Sequence, residues 1–235
     1  DPRDLNTQNR PPVAIAEDPA ETVRGLRIGV YRPWLEDADA PIVAAAHAML
    51  DGYAQMGAEI VEIEIPRLNF VRLGHLVSIA VEMATSQLAH DADFHRYAAD
   101  TQLNLTLARG LHATDYVKAQ RLRAEACARI DTLWDRVDVI ATPTTGCTAR
   151  PIRADVDHCG ESDLALLEAV MRFAVLANFT GLPAISIPAG YDPGGLPIGF
   201  QLRGRAFEED VLLAAAYCAE TFVSARRPGW HHPLL

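Results

Sequence analysis

A chain of 235 residues with 49% apolar content can bury a substantial core, and its length reads as a single α/β domain over 1–235. The formal charge of −10 repels a phosphate backbone on average, which argues against autonomous nucleic-acid binding. Of the 21 basic side chains only Lys118 is a lysine.

The cysteines at 127, 147, 159 and 218 form no CxxC pair, so free thiols are expected rather than disulfide staples. No apolar run reaches the roughly 18 residues needed to span a bilayer, and no basic-then-apolar signal pattern opens the chain. The reading is a soluble, cytoplasmic protein with no membrane partner. Residue 1 is Asp rather than Met, which reads as a chain processed, cut or expressed as a piece of something longer.

In chain order, residues 1–24 are a polar, proline-punctuated lead-in. LRIGVYR over 26–32 alternates Ile28 and Val30 with Arg27, as a strand does. PIVAAAHAMLDGYAQMG repeats Ile42, Ala46, Met49, Tyr53 and Met56 at helical steps, with Pro41 at its start and Gly57 at its stop. EIVEIEI over 59–65 sets Val61, Ile63 and Ile65 against Glu62 and Glu64 and reads as a strand ended by Pro66. A helical middle runs from Asn69 to Asp100, and a long helix from Tyr116 to Val137 aligns Ala119, Leu122, Ala126, Ile130 and Leu133. A strand over 137–142 follows, in VDVIATPTT. A polar loop leads to a helix with Ser162 as its N-cap and its end near Asn178. AISIPAG (strand 184–188) and PIGFQLRG (strand 198–203) flank a DPGG turn as a hairpin-like pair, with Ile198, Phe200 and Leu202 on one face. A last helix opens with Glu208, Glu209 and Asp210, where carboxylates suit the helix dipole. AISIP is expected to be buried on both faces.

DVIATPT, a helix ending NFTGLPAISIPAG, then GLPIGFQLRG and EEDVLLAAAYCAE resemble, in that order, the C-terminal half of the amidase signature family. The resemblance runs from about Leu26 to Phe222, within an amidase-like portion taken as 26–225, and DPRD at residues 1–4 is similar to the segment that follows the family's signature region. It implies a mixed β-sheet with packed helices and a hydrolase of carboxylic amides that needs no cofactor and no metal. Such enzymes use a serine nucleophile, a second serine and a lysine, with backbone N–H groups holding the oxyanion; a hydroxyl needs that activation because it is a poor nucleophile.

That machinery is not in this chain. Its serines are Ser78, Ser86, Ser162, Ser186 and Ser224, none adjacent to another and none in a glycine-rich loop, and Lys118 sits among arginines on a helix as a solvated position. No GxSxG elbow replaces it. No catalytic residue is therefore assigned. The resemblance implies a substrate cleft bordered by Thr144, Thr145, Cys147, Asn178 and Thr180; ordinary capping and turn bonding is the competing reading of these residues. His90 and His95, five apart, read as surface histidines, and His158 with Cys159 and Cys147 lacks the second spaced pair that a metal site needs. His231 and His232 read as a solvated tail. Gly181, Gly190, Gly194, Gly195 and Gly199 read as turn and close-packing positions rather than a phosphate loop.

The leading functional reading is the C-terminal portion of an amidase whose N-terminal half carries the nucleophile. The expected partners are that missing half, a small-molecule amide and a second copy of the chain, held through apolar surface that the missing half leaves bare. An amidotransferase A-subunit type of glutamine amidase is the alternative within the family. A free-standing, non-catalytic binding or assembly domain is the alternative outside it.

Overall fold

A computed structural model describes residues 3–4, 8, 10–14, 16–154, 156, 160, 163–224 and 226. Ser162, His158, Cys159, His231 and His232 lie outside the described residues. Strands β1 (Arg27–Val30), β2 (Glu59–Glu62), β3 (Val139–Pro143), β4 (Ala184–Tyr191) and β5 (Pro197–Gly204) form one sheet in the order β2-β1-β3-β5-β4. The sheet is mixed: β1 pairs parallel with β2 and β3, whereas β5 runs antiparallel to β3 and β4. β3, in the middle, is buried along its whole length.

Helices cover both faces, as a largely apolar sheet requires. On the first face α1 (Pro19–Val23), α3 (Ala40–Gln55) and α9 (Glu209–Ala219) pack with Val139, Ala141, Phe200 and Leu202. α3 forms as its spacing predicts: Ile42, Ala46, Met49 and Tyr53 are buried, and Gly57 past its end takes φ 95°. The Tyr53 hydroxyl donates to the Ala215 carbonyl at 2.9 Å, which ties α3 to α9. On the second face Trp34 of α2 (Arg32–Leu35), Val71 of α4 (Leu68–Ser86), Ile130 of α6 (Ala113–Asp131) and Phe179 of α8 (Val175–Thr180) enclose Ile140. α5 (Ala99–Arg109) packs on α4, and a 3-10 stretch (Gln87–Arg96) joins the two. α7 (Leu164–Met171) buries no residue at all. Glu168 on α7 pairs with Arg72 at 3.4 Å and with Arg172, and Arg172 reaches Asp37 at 2.9 Å.

Several expectations shift. The second strand stops at Glu62 rather than residue 65 because its neighbour β1 is only four residues long; the Ile63 amide makes the last bond, to Val30, and Ile63 and Ile65 stay buried beyond it. The long helix starts earlier and ends earlier than expected. His112 and Asp115 form a reciprocal capping box at its start, and turns replace it after Asp131. The helix expected to end near Asn178 is two helices, α7 and α8. Asp163, not Ser162, caps α7, its carboxylate accepting from the Ala165 and Leu166 amides. AISIP is an edge strand, not one buried on both faces: Ile187 is buried, whereas Ala184, Ser186 and Pro188 are exposed. Alternation along the strand explains this, since only one side of an edge strand meets the core here.

Candidate functional site

The second face of the sheet becomes polar where β3 ends. Thr142, Gln201 and Ser186 are register partners across β3, β5 and β4, and strand alternation directs all three to one face. One step on, the Thr144 amide bonds Gly199 at 2.9 Å, and Gly199 pairs with Pro188. Thr144 Oγ1 and Ser186 Oγ lie 2.6 Å apart. They meet above Gly199, where a Cβ would come within 2.6 Å of Thr144 Oγ1 and 3.1 Å of Ser186 Oγ. Only glycine leaves room for that hydroxyl pair.

Along the same face lie two groups short of partners. Gln201 Oε1 is buried without a hydrogen bond. Arg203 is fully buried; its Nη1 donates to Thr142 Oγ1 at 2.9 Å, its Nη2 donates to the Phe173 carbonyl, and its guanidinium lies 5.0 Å from the Trp34 ring. Its Nε has no partner, and desolvation pushes its pKa down to about 9. Two neutral hydroxyls at an exposed strand end can bind and orient a polar group. They do not make an activated nucleophile, which needs a base within reach.

The residues singled out in the sequence fall into two places. Thr144, Thr145 and Cys147 follow the end of β3. Thr144 joins the hydroxyl pair, Thr145 donates to the Cys147 carbonyl at 2.8 Å, and Cys147 is buried as a free thiol. Asn178 and Thr180 lie at the end of α8 that leads into the start of β4. Asn178 is exposed, and the Thr180 hydroxyl donates to Leu176 of its own helix at 2.7 Å. That end of α8 rests on α6, with Arg123 Nε donating to the Phe179 carbonyl. Four register steps separate Ala184 from Pro188, or about 13 Å along the strand. The structure therefore does not gather the predicted set into one cluster. It brings Thr144 against Ser186 instead, with Gln201 beside Ser186 in register and Arg203 further along the same face, bonded to Thr142. Period-two alternation in AISIP and GFQLR was the signal for these polar positions, since it isolates each of them on the face opposite the isoleucines, Phe200 and Leu202.

Lys118 is a surface residue, its side chain 74% exposed and 3.7 Å from Asp115. His90 and His95 are exposed. Among the described residues no group of three His, Cys, Asp or Glu side chains is placed to hold a metal, and no helix is long and apolar enough to cross a membrane.

The family model for amidases matches residues 1–213. The chain belongs to the amidase signature family. Within that family it is 37% identical to the fatty acid amide hydrolase of Medicago truncatula over 95% of this chain, and 31% identical to an amidase of Pseudomonas putida over 100% of this chain. It is also 31% identical to the A-subunit of the glutamyl-tRNA(Gln) amidotransferase of Anaeromyxobacter sp. (strain K), over 94% of this chain. The chain spans 38% of the Medicago protein and 50% of the Pseudomonas one. The A-subunit structure of the glutamyl-tRNA(Gln) amidotransferase from Thermotoga maritima matches with a TM-score of 0.72 at 23% identity, over 94% of this chain and 47% of that one. A bacterial aryl acylamidase of the amidase signature family matches with a TM-score of 0.71 at 22% identity, over 87% of this chain and 45% of that one. At those identities the solved structures establish the α/β fold. Membership of the family comes from the family match and the more similar sequences.

Proposed function

We propose that this chain is the C-terminal portion of an amidase that hydrolyses a carboxylic amide to an acid and ammonia or an amine. It supplies the sheet scaffold and one wall of the substrate cleft, and the nucleophile comes from the N-terminal half. The observation that carries this reading is Lys118: the chain's only lysine is solvated and paired with Asp115, where it cannot serve as the neutral base that a serine nucleophile needs. The lengths of the relatives support it, because this chain spans only 38% to 50% of the amidases it resembles. The wall is formed by Thr144, Thr145 and Ser186, with Cys147 next to Thr145, while Asn178 and Thr180 border the cleft from the far end of β4.

Greater similarity to fatty acid amide hydrolases than to the amidotransferases favours an acyl amide over glutamine as the substrate. The amidotransferase reading rests on the 31% identity to the A-subunit type. The test is hydrolysis of a long-chain primary amide, an anilide and glutamine by the purified 235-residue chain, alone and then co-expressed with the N-terminal half of a relative. No turnover alone and turnover of the long-chain amide by the pair is the expected result. Turnover by the chain alone that survives Lys118→Ala overturns the division of labour, and turnover of glutamine only selects the amidotransferase type.

A further inference from the structure

α7 is an apolar helix turned outward. Leu164, Leu167 and Val170 recur every three residues over about 9 Å of its axis, and they are 72%, 49% and 41% exposed. Polar contacts anchor it: the Gly146 amide donates to the Ala169 carbonyl at 2.8 Å, Glu168 pairs with Arg72 and Arg172, and Asp163 caps its start. A helix of only eight residues is marginal in water by itself, so an apolar ridge left in solvent points to a cover outside the chain.

The surroundings of α7 say what that cover is. Gly146 stands between Thr145 and Cys147, so its bond to Ala169 fixes α7 beside the cleft wall. The pairs to Arg72 of α4 and, through Arg172, to Asp37 after α2 hold it among the helices of the second face. Ala184 and Pro188, which share a side of the edge strand β4 with Ser186, are exposed as well. A convex ridge of three side chains fits a groove in a protein, whereas a small ligand needs a concavity. The chain spans 38% to 50% of the amidases it resembles, so those relatives carry at least as much chain again. We propose that the Leu164–Leu167–Val170 ridge seats in an apolar groove of the N-terminal half of the amidase. The identity of the partner rests on the hydrolytic reading, and the readout is association rather than turnover.

The 235-residue chain is co-expressed with a tagged N-terminal half of the Medicago truncatula relative, and the chain retained on the tag is quantified. Leu164→Glu combined with Leu167→Glu lowers retention about tenfold, because the contact then buries two unpaired carboxylates. Tyr217→Glu, at a 66% exposed position on α9, leaves retention unchanged. Hydrogen exchange of the unsubstituted chain is the second measurement, and the amides of 164–171 slow about tenfold in the pair. No complex, equal retention of a folded double variant, unslowed exchange of α7 in the pair, or protection of α7 by a second copy or by phosphatidylcholine vesicles instead overturns the proposal. A complex that needs α7 yet hydrolyses neither the long-chain amide, the anilide nor glutamine upholds the docking and removes the hydrolytic reading.

Discussion

Replacing Gly199 by alanine tests how tightly the end of β3 is built onto β5. The added Cβ would lie 2.6 Å from Thr144 Oγ1, 2.9 Å from Thr144 Cβ and 3.1 Å from Ser186 Oγ. Thr144 Oγ1 can rotate away, but Thr144 Cβ is fixed to its backbone, so the strand end itself must move and part the hydroxyl pair. Overpacking of this kind costs about 1–3 kcal/mol, and the lost hydrogen bond adds about 1 kcal/mol. For a chain of this size each kcal/mol lowers the melting temperature by about 2–4 °C, so Gly199→Ala should melt about 10 °C below the parent. Thermal unfolding followed by circular dichroism measures it. Combining the change with Thr144→Gly, which removes both close atoms, should recover most of the loss, and combining it with Ser186→Ala should recover little. A Gly199→Ala protein that melts within about 1 °C of the parent would refute the reasoning, since the overpacking cost would then be absent.

Two further outcomes follow from buried ionisable groups. Arg203→Met should match or exceed the parent's stability at pH 7, because a buried cation without a carboxylate is costly and methionine fills a similar volume. Burial holds the Arg203 pKa at about 9, below the ordinary arginine value, so the fold sheds that proton first, the cost is complete below about pH 9, and the variant's advantage should narrow as pH rises above it. Chemical denaturation at pH 7 and pH 10 checks both points, and a clear loss in the variant at pH 7 would show that the bonds to Thr142 and Phe173 outweigh desolvation. His75, buried on α4 and edge-on to Phe179, has its pKa lowered first by burial, with Glu82 opposing. The unfolded chain therefore takes up that proton more readily, so stability is complete above the ordinary value of 6.5 and falls as pH drops through it. His75→Phe should flatten the dependence of melting temperature on pH between about 7.5 and 5.5; an unchanged pH dependence would show that His75 does not carry it.

Elements whose chemistry is local were legible from residue order. α3 announces itself through Pro41, its repeating apolar residues and Gly57, and the β4–β5 hairpin through DPGG. Element ends were less legible where a partner decides them. Nothing in EIVEIEIP says that its neighbour β1 is too short to carry the ladder past Glu62. Burial on both faces was misjudged for AISIP for a related reason, because strand order is a property of the sheet and a run of isoleucines reads alike in the centre and at an edge. The hydroxyl pair needs three strands in register, so no single stretch of sequence puts Thr144 beside Ser186. Arg203 was hidden by its type, since arginine is expected at the surface.

The exposed edge of β4 is less open than its position suggests. Pro188 has no N–H to offer, and the register with β5 slips between Pro188 and Gly190, where φ reaches 133°. A strand docking on that side can zip along Ala184–Ile187 only, about 13 Å of backbone, before the template gives out. A seam that short limits runaway templating between copies and leaves the docked strand's remaining length to side-chain contacts.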